Sequence, residues 1–122
     1  MKRVALVVLG GTLGTLSRFG VSEALPGDGL FPLATFVVNV AGSFALGVLL
    51  AVLLDRRADS LRLLLGTGFL GGFTTYSALA VETDSLLRGD HVALAVAYAV
   101  GTVIAGLAAA FAGIAVGSRG RR

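Results

Sequence analysis

The sequence predicts an all-α membrane protein whose subunit crosses the bilayer as four helices. Hydrophobic residues make up 56% of its 122 residues and charged residues 14%, whereas soluble domains average about 45–50% and about 25%. A soluble fold of this length buries only about two-thirds of the surface of its unfolded chain, which leaves no room for so much apolar surface. The charged residues also form clusters that separate four apolar runs.

These apolar runs are long enough for transmembrane helices. Residues 29–54, 63–81 and 92–118 contain no Asp, Glu, Lys or Arg and number 26, 19 and 27, against a requirement of about 20 for one span. The first run, 4–17, has 14 residues, and uncharged residues extend it past Arg18. We predict helices at about 4–25, 30–54, 62–86 and 92–116, within a single four-helix transmembrane domain, residues 1–122.

The connections between these helices are short. Residues 26–29 read Pro-Gly-Asp-Gly, which is the composition of a turn. Residues 55–60 form a charged link, and Asp59 or Ser60 is the predicted N-cap of the third helix, because short polar side chains accept hydrogen bonds from first-turn amides. Residues 87–90 form the last link.

Lys and Arg are distributed unequally between the two sides of the predicted bundle. Arg18 and Arg88 lie on one side, and eight residues lie on the other: Lys2, Arg3, Arg56, Arg57, Arg62, Arg119, Arg121 and Arg122. The positive-inside rule therefore predicts a multi-pass protein of the plasma membrane with both termini in the cytoplasm. We assign the basic character to topology and lipid contact, and expect no nucleic-acid partner.

Glycine spacing indicates where the helices pack against one another. Small residues recur four apart in three of the helices, at Gly10 and Gly14, at Ser43 and Gly47, and at Gly113 and Gly117. Small residues let helix backbones approach closely in lipid. We predict packing positions at Gly10, Gly14, Gly42 and Gly47.

The third helix has a different glycine pattern, which favours a break near its middle. Gly71 and Gly72 precede Thr74 and Thr75, and these are poor helix-forming residues. A break at membrane depth requires partners for the backbone groups that it frees, and such breaks recur at ion sites. A packed, unbroken glycine-rich helix is the alternative, and the composition leaves both open.

Neutral polar side chains are the remaining intramembrane feature. Thr35, Asn39 and Ser43 share one face of the second helix. Asn39 is either a clamp between helices or a group in a pore. Hydroxyl and amide donors suit an anion, and the candidate ladder consists of Asn39, Thr75, Tyr76, Ser77, Tyr98 and Thr102.

Missing charges and nucleophiles narrow the functional classes. No Asp, Glu, Lys or Arg occupies the middle of a predicted span, whereas proton-coupled transporters usually carry a central carboxylate. The chain has no Cys, and its one histidine, His91, lies in a predicted loop. With neither a Ser–His pair nor paired carboxylates, the sequence does not predict an enzyme.

Three motifs in this order resemble those of the Fluc/CrcB fluoride channels, over essentially the whole chain. They are the first-helix glycine motif at 10–19, the second-helix asparagine motif at 35–44, and the third-helix break at 71–77, with Glu82 beyond. The resemblance implies an antiparallel, dual-topology dimer with two pores. Such a dimer would let fluoride leave the cytoplasm passively and so reduce fluoride toxicity.

The resemblance also implies roles for particular residues. Backbone carbonyls of Gly71 and Thr74 would hold a structural, non-transported Na⁺ at the dimer centre. Asn39 would donate to fluoride or orient pore aromatics, and Arg18 would lie near an aqueous vestibule. Tyr98 and Thr102 would belong to a polar track on the fourth helix.

Departures from the family pattern predict that one of the two pores is impaired. Tyr76 and Leu79 occupy the positions of two pore phenylalanines, and Gly106 replaces a hydroxyl residue on the fourth helix. The unequal Lys and Arg distribution predicts mostly one orientation, and hence pairing with a related chain of opposite orientation; a homodimer is the alternative. A non-conducting subunit that completes a partner's pore is the alternative function.

Overall fold

The computed structural model describes residues 1–53 and 56–120 and contains four helices able to cross a membrane. They span Lys2–Ala24, Leu33–Leu53, Asp59–Arg88 and Val92–Arg119. The prediction of an all-α protein with four candidate spans is therefore confirmed. Leu54 and Asp55, assigned to a helix end and a link, and the basic residues Arg121 and Arg122 lie outside the described residues.

Two helix starts differ from the sequence prediction. The second helix begins at Leu33 and not near residue 30, because Phe31 precedes Pro32 and a residue before proline avoids the α conformation. The third helix begins at Asp59, so its N-cap is Ala58 and the N-cap assignment to Asp59 or Ser60 is wrong. The Asp59 carboxylate instead lies in the first turn, where it favourably meets the positive end of the helix dipole.

The third helix is broken, as one of the two sequence readings predicts. Its first half contains a π-helix at Arg62–Leu70 and one α-turn at Gly71–Phe73. Thr74 and Thr75 are then extended, with φ/ψ of −76°/159° and −149°/123°. The helix resumes at Tyr76–Arg88, which we call the second half.

Glycines bring the first helix against the first half of the third. A Cβ added at Gly10 would overlap the carbonyl oxygen of Leu64, and one at Gly14 would overlap that of Phe69. Backbones approach this closely in lipid only where side chains are minimal. Gly10 meets Leu64, and Gly14, one turn later, meets Phe69. The first helix and the first half of the third helix therefore run parallel.

The second and fourth helices form the other close pair. A Cβ added at Gly47 would overlap the carbonyl oxygen of Ala110, and one at Gly113 would overlap that of Phe44. The buried Gly42 lies elsewhere on the second helix, where a Cβ would overlap the Thr74 methyl group at the break.

The second half of the third helix packs on the start of the fourth helix. Leu86, Ala95 and Tyr98 form a small buried cluster there. Most large apolar side chains lie outside it, and Phe111, for example, is 69% exposed. Apolar surface of this extent is stable in a lipid environment and not in water.

Arg62 joins the second helix to the third across their link. Its guanidinium donates to the carbonyl oxygen of Leu53, the last residue of the second helix, and to that of Arg56 at 3.4 Å. A cation at a helix C-terminus stabilises carbonyl groups that have no helical partner. Arg62 therefore stabilises the C-terminus of the second helix and ties it to the first turns of the third.

We predict that Gly14→Ala destabilises the chain, because the added methyl group overlaps the Phe69 backbone, and overpacking costs about 1–3 kcal/mol. Gly20→Ala is the matched control on the same helix, since nothing lies within 4 Å of its added Cβ. Unfolding in detergent, followed by circular dichroism, measures the difference. Equal stability of the two variants would contradict the packing described above.

Candidate functional site

A groove of about 480 Å³ lies between the second, third and fourth helices, at the break in the third. Its lining includes Asn39, Ser43, Thr74, Thr75, Tyr76 and Thr102. Gly71, Leu79 and Gly106 also line it. None of the lining residues carries a charge, so the groove is a neutral, partly polar surface at the level of the break.

Asn39 holds the break through two hydrogen bonds to one residue. Its Nδ2 donates to the Thr75 carbonyl oxygen at 2.9 Å, and its Oδ1 accepts from the Thr75 amide at 2.8 Å. Extended backbone exposes an amide and a carbonyl, and at membrane depth each must be paired. The carboxamide of Asn39 therefore takes the place of a helical partner.

The Thr75 side chain starts the second half of the third helix. Its hydroxyl accepts from the Ala78 amide at 3.1 Å and lies 3.2 Å from the Ser77 hydroxyl. This is an N-cap, which satisfies one of the amides that a new helix leaves without a carbonyl. Thr75 is only 8% exposed, so these bonds are shielded from competing water.

The same bonds leave two carbonyl groups without their usual helical donors. In an α-helix the carbonyl of residue i accepts from the amide of residue i+4. The Thr75 amide, which would serve Gly71, donates to Asn39, and the Ala78 amide, which would serve Thr74, donates to Thr75. Gly71 and Thr74 both line the groove, so two carbonyl oxygens are available as hard ligands.

A second polar cluster lies between the second helix, the second half of the third and the fourth. The Thr35 hydroxyl donates to one carboxylate oxygen of Glu82 at 2.8 Å, and the Tyr98 hydroxyl donates to the other at 2.6 Å. Tyr98 is 1% exposed. Two charge-assisted bonds thus hold the carboxylate inside the bundle.

The predicted ladder divides into two parts. Asn39, Thr75 and Ser77 are joined by hydrogen bonds at the break. Tyr98 lies apart from them, in the Glu82 cluster. The Thr102 hydroxyl donates to the Tyr98 carbonyl at 2.6 Å, so the hydroxyl proton of Thr102 is already bonded within the fourth helix. Tyr76 is 83% exposed and lies outside both groups of buried hydrogen bonds.

Arg18 lies outside the groove. The lining residues come from the second, third and fourth helices, whereas Arg18 is half-buried on the first. Gly106 and Leu79 both line the groove, so each departure from the family pattern lies on its surface.

Sequence reasoning missed the role of Glu82, which it placed near a helix end. The signal was periodicity: Glu82 follows Thr75 by seven residues, and Thr35 precedes Asn39 by four, which is one or two turns on the same face. Because these helix segments run antiparallel, the contact between Asn39 and Thr75 brings Thr35 towards the segment that carries Glu82, and a hydrogen bond of 2.8 Å joins the two side chains.

Comparison with known proteins gives a consistent result. The family model described as CrcB-like protein, Camphor Resistance (CrcB), matches residues 5–114. The chain is 46% identical to a fluoride-specific ion channel FluC 2 of Leifsonia xyli, over 96% of this chain and 84% of the relative. It is 43% identical to a fluoride-specific ion channel FluC of Thermus thermophilus, over 96% of each chain.

A third relative, the fluoride-specific ion channel FluC of Paracoccus denitrificans, is 45% identical over 91% of this chain and 90% of its own length. All three are named as ion channels and none as an enzyme. The family model and these relatives extend over nearly the whole chain, including the break and the groove. The chain belongs to the CrcB family.

Proposed function

We propose that this chain is a subunit of a fluoride-specific channel that lets fluoride leave the cytoplasm passively and so reduces its toxicity. The groove at the break carries this proposal, because it combines Asn39 and Thr75 with an uncharged lining. The names of the relatives support fluoride as the permeant ion. The groove lining carries no charge, and the Glu82 carboxylate is bonded to Thr35 and Tyr98 outside that lining, which favours passive passage over proton coupling through the groove.

Asn39 is the central donor in this proposal. A carboxamide has two N–H groups, and only one of them is used on the Thr75 carbonyl. The second N–H can donate to an anion in the groove without releasing the break. Fluoride must shed water to enter, and each donor that replaces a water lowers that cost.

A structural Na⁺ is the second part of the proposal. The carbonyl oxygens of Gly71 and Thr74 fit such an ion, because their helical donors are bonded elsewhere and both residues line the groove. A partner subunit in an antiparallel dimer supplies two more oxygens. When bound, the ion balances the negative ends of the carbonyl dipoles at the break.

The chain pairs with a related chain of opposite orientation in this proposal. Tyr76 is 83% exposed and lines an open groove, which supports a partner that completes the site. The ratio of eight Lys or Arg on one side to two on the other favours a single orientation, with cytoplasmic termini in the plasma membrane.

A non-conducting subunit is the second candidate function. Leu79, a groove residue, has neither a ring edge nor a hydroxyl with which to meet an anion. In this case the chain completes a partner's pore, and its own groove carries no fluoride.

We predict fluoride efflux from liposomes that contain this chain with an oppositely oriented family member, and no chloride efflux under the same gradient. Neutral donors in a narrow groove discriminate through the dehydration of the ion. A fluoride electrode and a chloride electrode measure the two fluxes. If no combination of subunits releases fluoride, the channel proposal fails.

We predict that Asn39→Asp lowers fluoride efflux about tenfold or more. The substitution keeps the shape but replaces the donor to the Thr75 carbonyl with an acceptor, and a lost buried partner costs about 1–3 kcal/mol. Thr12→Val is the control, since Thr12 is exposed and its hydroxyl bonds only to the Val8 carbonyl on its own helix.

Unchanged efflux of the paired complex with Asn39→Asp would instead support the non-conducting candidate. The variant must elute as the same folded species as the wild type, so that the flux reports on the site.

We predict one dominant orientation in the membrane. The chain has no cysteine, so Gly27→Cys and Ser60→Cys place single thiols on opposite sides of the bundle. An impermeant maleimide applied to intact cells should label Gly27→Cys, and should label Ser60→Cys only after permeabilisation. Equal labelling of both from outside, with robust efflux by the chain alone, would rule out the paired-subunit proposal.

A further inference from the structure

Phe31, in the link between the first two helices, makes ring contacts with the second and fourth helices. Its ring centroid lies 5.5 Å from that of Tyr98, at an interplanar angle of 87°, and 5.5 Å from that of Phe36, at 63°. The preceding residue, Leu30, is 56% exposed, while Phe31 is 37% exposed. The link therefore places one aromatic ring on the fourth helix.

The backbone holds Phe31 in this position. Proline at 32 restricts the residue before it to extended conformations. The Leu33 amide donates to the Phe31 carbonyl at 2.8 Å, and the Phe36 amide donates to the Pro32 carbonyl at 3.2 Å. The ring thus projects from a short turn that is fixed to the start of the second helix.

The ring of Tyr98 is fixed from two directions. Its hydroxyl donates to Glu82 at 2.6 Å, and its ring meets that of Phe31 in an edge-to-face contact. A hydrogen bond alone leaves the ring free to tilt about the oxygen, whereas a perpendicular neighbour selects one tilt. Leu79 and Phe36 pack against the buried cluster that contains Tyr98.

We propose that Phe31 is a positioning residue, which holds the Tyr98 hydroxyl on Glu82 and closes the link side of this polar cluster. Its consequence for fluoride passage rests on the proposed function, but its effect on Tyr98 does not. The contact is worth about a two- to tenfold change in the ratio of bonded to unbonded Tyr98, which is the range of one edge-to-face pair.

The chain is suited to a direct optical test. It has no tryptophan and two tyrosines, Tyr76 and Tyr98, so Tyr76→Phe leaves Tyr98 as the sole tyrosine emitter. A tyrosine whose hydroxyl donates to a carboxylate emits weakly, because the proton moves towards the carboxylate in the excited state. Glu82→Gln in the Tyr76→Phe background defines the emission of Tyr98 without a carboxylate partner.

We expect Phe31→Leu in the Tyr76→Phe background to raise Tyr98 emission towards the Glu82→Gln level. With Tyr76 retained, Phe31→Leu should lower fluoride efflux of the reconstituted complex by up to about tenfold. Phe31→Tyr, which keeps the ring, should restore the efflux. Leu30→Ala, in the same link but exposed, is the matched control and should change neither reading.

The outcomes separate this proposal from the channel proposal. Emission of Phe31→Leu equal to that of its parent would overturn the positioning role. Raised emission with unchanged efflux would support the hold on Tyr98 and overturn its consequence for fluoride passage. If the parent complex releases no fluoride, the channel proposal fails, and the emission alone decides the role of Phe31. Phe31→Met is the second variant, for use if Phe31→Leu does not elute as the folded species.

Discussion

The carboxamide of Asn39 pairs with both backbone groups of Thr75, at 2.9 Å and 2.8 Å, and the rest of the site depends on this pair. Two extended residues in the middle of a transmembrane helix are stable only if their amide and carbonyl find partners away from water. One side chain from the second helix supplies both. Because the Thr75 amide donates to Asn39, it does not donate to the carbonyl of Gly71, which would be its partner in a continuous helix.

Packing brings Asn39 and Thr75 to this distance. Gly42, one turn beyond Asn39, leaves room for the Thr74 methyl group, and a Cβ there would push the break away from the second helix. Nearer to the link between the first two helices, the hydroxyls of Thr35 and Tyr98 donate hydrogen bonds to Glu82 at 2.8 Å and 2.6 Å. Hydrogen bonds between helices thus occur at two levels, and the groove lies at the level of the break.

Local features of the sequence predict the four spans and the position of the break, because apolar length and the Gly71–Thr75 composition are local properties. Whether the helix breaks is not a local question, since it depends on the partner Asn39 on another helix. The Glu82 cluster was missed for the same reason. The apolar run places Phe31 in the second span, whereas Pro32 keeps it outside the helix, which begins at Leu33. Orientation and pairing depend on a partner chain and stay predictions.

The role of Asn39 is tested most directly by hydrogen exchange at the Thr75 amide, measured by NMR on the detergent-solubilised chain and compared with Asn39→Ala. We expect the wild-type amide to be protected like the helical amides around it, although Thr75 has extended dihedral angles. In Asn39→Ala it should exchange far faster, while amides of the fourth helix stay protected. A Thr75 amide that exchanges equally fast in both proteins would contradict the central role of Asn39.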